Sequence, residues 1–164
     1  MMQGLPVDDG IPTSGFECVL ALSPQEIYAA GWRGELWFFD GQVWQAIDSP
    51  TNRILTSLCL GPDGDVWACG QRGVLVHGRG HRWQVIDDTG IPDDLWAIAT
   101  SGETMFMSAL LRMYSRVGTT IDLLDFDALG ASTFGALMVD NGVLWSMGQK
   151  DFLAFDGQQW HRLA

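Results

Sequence analysis

The sequence lacks the long apolar runs of membrane proteins and the motifs of the common enzyme classes. No stretch of 18 apolar residues occurs, so no transmembrane helix is predicted. The first fifteen residues contain no basic segment followed by an apolar one, so no signal peptide is predicted. HExxH, serine-elbow, P-loop and GxGxxG patterns are all missing. We therefore expect a protein that is not an enzyme and that needs no cofactor.

Basic residues are scarce, because the 164 residues include 9 Lys or Arg against 20 Asp or Glu, a net charge of −11. Such a charge repels phosphates and anionic lipids, which disfavours nucleic acid and membranes as partners. A cation or a basic protein is favoured instead. Only 18% of the residues are charged and 47% are hydrophobic, so the chain is expected to fold.

Cysteine and histidine are also rare, with three of each. Cys18, Cys59 and Cys69 lie in apolar runs and are too far apart for a zinc-binding pattern, so we expect reduced, buried thiols in a cytoplasmic protein. The basic turn His77–Arg82 could hold a phosphate, and Asp63–Asp65 could offer oxygens to calcium. Both segments are also ordinary turn sequences, and no metal site is predicted.

Glycine and tryptophan are abundant, with 20 and 8 residues, and both follow an internal repeat of 39 residues. An aromatic column comprises Tyr28, Trp67, Phe106 and Trp145. A small-residue column comprises Gly31, Gly70, Ala109 and Gly148. A tryptophan column comprises Trp44, Trp83 and Trp160, with Ile121 in the third copy. The repeat predicts four copies, of which the third is degenerate, over residues 16–51, 55–90, 95–130 and 133–164.

Each copy contains four short apolar segments separated by turns rich in Gly, Pro and Asp, which predicts a four-stranded antiparallel sheet. Turns this frequent leave no room for the helices of an α-solenoid. One such sheet cannot bury its two apolar faces alone, whereas sheets packed face to face around an axis form a β-propeller. We predict an all-β propeller of four blades, with the tryptophans packed between blades.

The ends of the chain leave two arrangements open. Residues 1–15 resemble the tail of a preceding blade, because Val7–Pro12 is similar to Ile86–Pro92, and residues 16–164 form the predicted propeller domain. Four blades either close alone, at the lower limit of about 4–8 blades, or form an open arc of a larger ring. An open arc must cover its end faces, which predicts a homodimer through exposed blade faces or another partner.

Acidic residues concentrate in the loops that join the last strand of one copy to the first strand of the next. All such loops emerge at one end of a propeller, so we predict an acidic partner-binding face. Its predicted residues are Asp8, Asp9, Asp48, Asp87, Asp88, Asp93, Asp94, Asp125 and Asp127. This face would attract an electropositive protein over long range, or would alternatively serve only to keep the protein soluble.

Three segments, Ile27–Trp44, Val66–Gly73 and Phe155–Trp160, resemble the blades of bacterial WD-repeat-like propellers. No copy begins with the Gly-His or ends with the Trp-Asp of eukaryotic WD repeats, and the Asp-box of sialidases is missing. The resemblance implies a non-catalytic scaffold similar to immunity proteins of bacterial toxin systems, which bind a secreted toxin such as a nuclease. A glycan- or small-ligand-binding propeller with stacked tryptophans, or an assembly module of a larger complex, are the alternatives.

Overall fold

A computed structural model of the chain describes residues 14–164 and, as backbone only, two short strands before them, β1 (Val7–Asp8) and β2 (Ile11–Pro12). Residues 14–164 form four antiparallel sheets of four strands each, which confirms the predicted all-β propeller of four blades. The predicted tail of a preceding blade, residues 1–15, falls largely outside the described residues. The two strands of it that are described, β1 and β2, pair with each other. No helix among the described residues is long and apolar enough to cross a membrane.

The strands of each blade pair in chain order. Blade 1 consists of β3 (Phe16–Ser23), β4 (Glu26–Gly31), β5 (Leu36–Phe39) and β6 (Trp44–Ala46). Blade 2 consists of β7 (Leu55–Leu60), β8 (Val66–Gly70), β9 (Leu75–Arg79) and β10 (Arg82–Val85). Blade 3 consists of β11 (Ala97–Ser101), β12 (Thr104–Ser108), β13 (Met113–Val117) and β14 (Thr120–Leu123). Blade 4 consists of β15 (Ala136–Asp140), β16 (Val143–Met147), β17 (Phe152–Phe155) and β18 (Trp160–Arg162).

The turn between the third and fourth strands is the same in blades 1 and 4. Gly157 has φ +96°, a conformation that other residues rarely adopt, and the Asp156 carboxylate accepts hydrogen bonds from the N–H groups of Gln158 and Gln159, both at 2.9 Å. With His161, these donors lower the pKa of Asp156 to about 2. Asp40 accepts two such bonds in blade 1. Both aspartates therefore stabilise the turn, and their presence in the sequence does not require a ligand.

The core of residues 14–164 consists of three clusters of buried side chains, each between two consecutive blades. The aromatic column contributes one residue to each cluster. Tyr28 is buried between blades 1 and 2, Trp67 between blades 2 and 3, and Phe106 between blades 3 and 4. The second-strand residue of a blade therefore faces the blade that follows it.

The tryptophan column supplies the other side of these contacts. Trp83 of blade 2 meets Tyr28 of blade 1 with ring centroids 5.8 Å apart, and Trp160 of blade 4 meets Phe106 of blade 3 at 5.5 Å, both edge to face. At the middle interface Ile121 takes the place of the tryptophan and packs against the cluster of Trp67. The outer strand of a blade therefore faces the preceding blade.

The four blades form an open arc rather than a closed ring. The inner strands pack in succession, β3 against β7, β7 against β11 and β11 against β15. Among residues 14–164 no fourth cluster joins blade 4 to blade 1. Val19 in β3 is 67% exposed and Met138 in β15 is 61% exposed, because neither inner strand has a second neighbouring blade.

The small-residue column marks a close approach between the second strand of a blade and the segment that leads into its first strand. A Cβ atom on Gly70 would lie 1.9 Å from the carbonyl oxygen of Ile54, and one on Gly148 would lie 2.2 Å from that of Thr133. Blade 3 carries Ala109 here, and its N–H donates to the Arg112 carbonyl in the same short turn that Gly148 and Asp151 form in blade 4. The degenerate third copy keeps this turn and its four-stranded sheet with alanine in place of glycine.

Candidate partner-binding surface

Two kinds of connection meet at one end of the arc, which we call the loop face. They are the turns between second and third strands, at residues 32–35, 71–74, 109–112 and 148–151, and the blade-to-blade loops, at 47–54, 86–96 and 124–135. Antiparallel pairing places both at the same end. Direct contacts join them, since the N–H of Gln71 donates to the Ile54 carbonyl (3.0 Å) and the N–H of Arg72 to Asp94 Oδ1 (2.9 Å).

Most of the acidic residues predicted to bind a partner lie exposed on the loop face. These are Asp48, Asp87, Asp88, Asp94, Asp125 and Asp127. Asp88 and Asp125 each accept a hydrogen bond from the N–H two residues further on, at 3.0 and 2.8 Å, and so also shape their loops. Asp9 lies outside the described residues, and of Asp8 only the backbone in β1 is described.

Asp93 and Asp94 hold the loop between blades 2 and 3 in place. The half-buried Asp93 carboxylate pairs with Arg112 Nη1 at 3.1 Å and accepts a short hydrogen bond from the Tyr114 hydroxyl. Asp94 accepts the N–H of Arg72. Asp93 is therefore neutralised by its own fold, and the exposed acids on either side of it are better placed to meet a partner.

Basic side chains share the loop face, for which only acidic residues were predicted from the sequence. The turns between second and third strands carry Arg33, Arg72, Arg112 and Lys150, all exposed, one in each blade. Arg33 and Arg72 adopt left-handed backbone conformations, with φ +55° and +52°. Their spacing, close to the repeat length, is the signal that could have located them. The loop face thus presents both signs of charge.

Two of the grooves on the loop face are each lined by two of the predicted aspartates. The larger, of about 770 Å³, is lined by residues 49–53, 72–74 and 85–92, so that Asp87 and Asp88 line it together with Arg53 and Arg72. The smaller, of about 440 Å³, lies on blade 3 beside Leu111 and is lined by both apolar and acidic side chains. Exposed apolar groups complete the surface, among them Trp96, Leu110 and Leu111. Such a mixture of apolar, acidic and basic groups is typical of a protein-binding surface.

A buried carboxylate, Asp151, lies beneath the loop face, and the sequence offered no signal for it. Asp151 is 3% exposed and accepts hydrogen bonds from the Thr133 hydroxyl (2.7 Å) and from two backbone N–H groups of the loop into blade 4. Arg162 in the last strand pairs with its other oxygen at 2.8 Å. These donors lower the pKa of Asp151, led by the Thr133 hydroxyl, and its role is to fix the last blade-to-blade loop.

A second polar cluster lies at the opposite end of the arc, where Asp63, Asp65 and His77 bring three potential metal-ligating atoms within 4.8 Å of one another. Their groups already have partners within the protein. Asp63 accepts the Trp67 indole N–H at 3.0 Å, and Asp65 bonds His77 Nδ1 at 2.8 Å. His77 stacks on Trp67 at 4.3 Å, and the Arg116 guanidinium lies 4.3 Å from the same ring. The cluster therefore supports Trp67 between blades 2 and 3.

No family model matches the chain. Among curated proteins, the immune protein Tsi7 of Pseudomonas aeruginosa is 42% identical to the chain over 149 residues. The match covers 91% of this chain and 49% of that protein. The chain therefore spans about half the length of the curated relative it matches. This identity confirms the resemblance to bacterial immunity proteins that the blade segments suggested.

Solved structures with low sequence identity show the same fold. The chain superposes on YCF48 bound to D1 peptide with a TM-score of 0.66 at 17% identity, over 92% of this chain and 55% of that chain. It superposes on YCF48 from Cyanidioschyzon merolae with a TM-score of 0.64 at 15% identity, over 92% of this chain and 56% of that chain. At this identity the likeness concerns the propeller architecture and not the function.

Proposed function

We propose that the chain acts as an immunity protein that binds a cognate bacterial toxin and blocks it without catalysing a reaction. The observation that carries the proposal is the 42% identity to an immune protein over 91% of the chain. We also propose that it acts in the cytoplasm, in keeping with its three free cysteines, of which Cys69 is wholly buried. A toxin would meet its inhibitor there before it reached its target.

The loop face is the surface that we propose for the toxin. Blade-to-blade loops can vary without disturbing the sheets, so they suit recognition of a particular partner. The exposed Trp96 and Leu111 supply apolar anchors of the kind that dominate binding energy, and the larger groove beside Asp87 and Asp88 can receive a basic side chain. The buried Trp67 is not available to stack on a sugar, so this indole does not favour the glycan-binding alternative.

The toxin is proposed to be basic, for instance a nuclease, and to be attracted by the net charge of −11. Exposed aspartates would steer the encounter and apolar groups would hold the complex, covering the toxin's active site. Arg33, Arg72 and Lys150 on the same face would repel a uniformly basic surface. They therefore restrict binding to a toxin whose acidic groups match them, which is a source of specificity.

The first test is protection of cells from a candidate toxin, sought among the genes beside that of this chain. The chain is co-expressed with that toxin, and growth is compared with cells that produce the toxin alone. The proposal expects restored growth and co-purification of the two proteins. Growth that stays arrested although the chain is folded and abundant contradicts it.

The second test locates the binding face by association kinetics with the purified toxin. The double variant Asp87→Asn with Asp88→Asn removes two exposed charges that line the larger groove, while Asp140→Asn removes an exposed charge at the opposite end of blade 4. We expect the first to slow association several-fold and the second to leave it unchanged. Raising the salt from about 0.1 M to about 1 M shortens the screening length from about 10 Å to about 3 Å and should slow association of the unaltered protein. An association rate indifferent to salt contradicts electrostatic steering.

A further inference from the structure

The repeat assigns a partner to each face of a blade, and among residues 14–164 one face at each end of the arc has none. The aromatic residue of a second strand meets the outer strand of the next blade, as Tyr28 meets Trp83 and Phe106 meets Trp160. Trp145 occupies this second-strand position in blade 4, where no further blade follows among the described residues. We call the side of blade 4 that carries Trp145 the forward face.

The forward face is apolar and exposed. Cross-strand pairing places Met138, Trp145 and Ala154 in one row, and Met147 and Phe152 in the next. Met138 and Met147 are 61% and 60% exposed, and Trp145 stacks on Phe152 with ring centroids 5.5 Å apart. In blades 1 to 3 the corresponding face is buried against the next blade. The forward face therefore has the composition of a blade interface without a partner.

The opposite side of blade 1, which we call the rear face, has the complementary features. Trp44 stands in the column of Trp83 and Trp160, the tryptophans that receive the aromatic residue of the preceding blade. It packs on Phe39 of its own sheet at 5.4 Å. Val19, on the inner strand of blade 1, is 67% exposed. The rear face offers the surface that blades 2 and 4 use to receive a neighbour.

We propose that two copies of this chain join head to tail, with the forward face of each blade 4 packed on the rear face of the other copy's blade 1. Trp145 then meets Trp44 of the second copy and completes the column of aromatic pairs. The contact is made twice, and two arcs of four blades close a ring of eight, within the known range of about 4–8 blades. Closure leaves no apolar blade face in water.

The length of the curated relative supports a ring of this size. The match covers 49% of Tsi7, so that protein has enough residues for two such arcs in a single chain. In the proposed dimer, the second copy would supply the four further blades that the remaining half of a longer chain such as Tsi7 has the length to supply. This inference does not rest on toxin binding, because blade packing alone carries it.

Sedimentation velocity of the full chain tests the proposal, with a series from low to high micromolar concentration. A dimer of about 36 kDa is expected, twice the 18.0 kDa of the chain. The variants Trp145→Asp and Trp44→Asp should each weaken dimerisation at least about 30-fold, because each places a charge at an interface aromatic. Trp96→Asp, at an exposed tryptophan on the loop face, is the matched control and should dimerise normally. Circular dichroism shows that each variant is folded.

A mixture of the two interface variants gives the sharpest result. In the mixture, the intact forward face of Trp44→Asp fits the intact rear face of Trp145→Asp, while the second contact carries both substitutions. The mixture should therefore form a heterodimer held by one contact, weaker than the unaltered dimer but stronger than the association of either variant alone. If identical faces paired instead, one of the two variants would dimerise normally. That outcome, or an unaltered chain that stays at 18.0 kDa throughout the concentration series, overturns the proposal. A monomer that loses toxin binding with Trp145→Asp would assign the forward face to the toxin and also overturn it.

Discussion

Replacing Gly70 by alanine tests the close approach that holds each blade's turn against the segment entering its first strand. The added Cβ would lie 1.9 Å from the Ile54 carbonyl oxygen, 2.9 Å from its carbon and 3.0 Å from Leu55 Cα. The first distance is about 1.5 Å short of ordinary contact, and backbone on both sides prevents relief by side-chain rotation. The same carbonyl accepts the Gln71 N–H at 3.0 Å, so moving it also breaks a hydrogen bond.

Overpacking and the lost hydrogen bond together predict a loss of about 3 kcal/mol in the free energy of unfolding. For a chain of this size that corresponds to a fall in Tm of roughly 6–12 °C. Urea and thermal unfolding followed by tryptophan fluorescence measure both quantities. Two controls separate the clash from loss of glycine flexibility. Gly64→Ala, with φ +85° and open space around it, should cost about 1 kcal/mol, and Ala109→Gly in the corresponding turn of blade 3 about the same.

The reasoning is refuted if Gly70→Ala unfolds at the same urea concentration as Gly64→Ala. The strand geometry around Ile54 would then adapt to a methyl group at little cost, and the small-residue column would reflect a preference of the turn alone. Strong destabilisation by Ala109→Gly would point the same way. This substitution adds no atom and creates no clash, so its cost would reflect backbone flexibility alone.

Three further predictions concern charge and thiols. Because the folded pKa of Asp156 is about 2, against about 3.9 in unfolded chains, its stabilisation is present above about pH 4 and is lost as the pH falls through 2. Asp156→Asn should therefore lower the free energy of unfolding at neutral pH and reduce the loss of this free energy on acidification. Urea unfolding at a series of pH values measures both effects, and an unchanged pH dependence contradicts the prediction. Arg79→Ala, which removes the ion pair with Glu26 of blade 1, should cost about 1 kcal/mol and raise the Glu26 pKa towards its ordinary value; carboxyl titration by NMR measures the second effect. Burial raises the pKa of Cys59 to about 11, so a thiol reagent at neutral pH should label it only on unfolding, and rapid labelling of the native protein would disprove the buried placement.

The sequence was sufficient to predict the four blades, because the repeat records the interfaces between them. Tyr28, Trp67 and Phe106 recur at 39 residues since each occupies the same position between two sheets. Even the third copy, with Ile121 for tryptophan and Ala109 for glycine, forms a complete blade. Packing against both neighbours compensates for weak local signals.

The electrostatics of the loop face were predicted only in part. Aspartates in loops are conspicuous, whereas Arg33 and Arg72 lie in turns whose position relative to those loops depends on strand direction. Pairs such as Asp93 with Arg112 connect residues 19 apart, across a blade boundary. Asp151 is buried by Thr133, 18 residues earlier, and nothing near it in sequence indicates burial. Pairing of a carboxylate with a partner distant in sequence depends on the tertiary structure, so residue spacing does not predict it.

The arrangement of three clusters among four blades makes the stability of the arc a sum over nearest neighbours. Blades 2 and 3 each gain from two interfaces, and blades 1 and 4 from one. Amide hydrogens of the terminal sheets should therefore exchange with solvent through local opening at lower free energy than those of β8 or β12. If two arcs close into a ring, the difference in opening free energy between terminal and central blades vanishes as protein concentration rises. Association with an identical copy would then be measured as protection from exchange in blades 1 and 4.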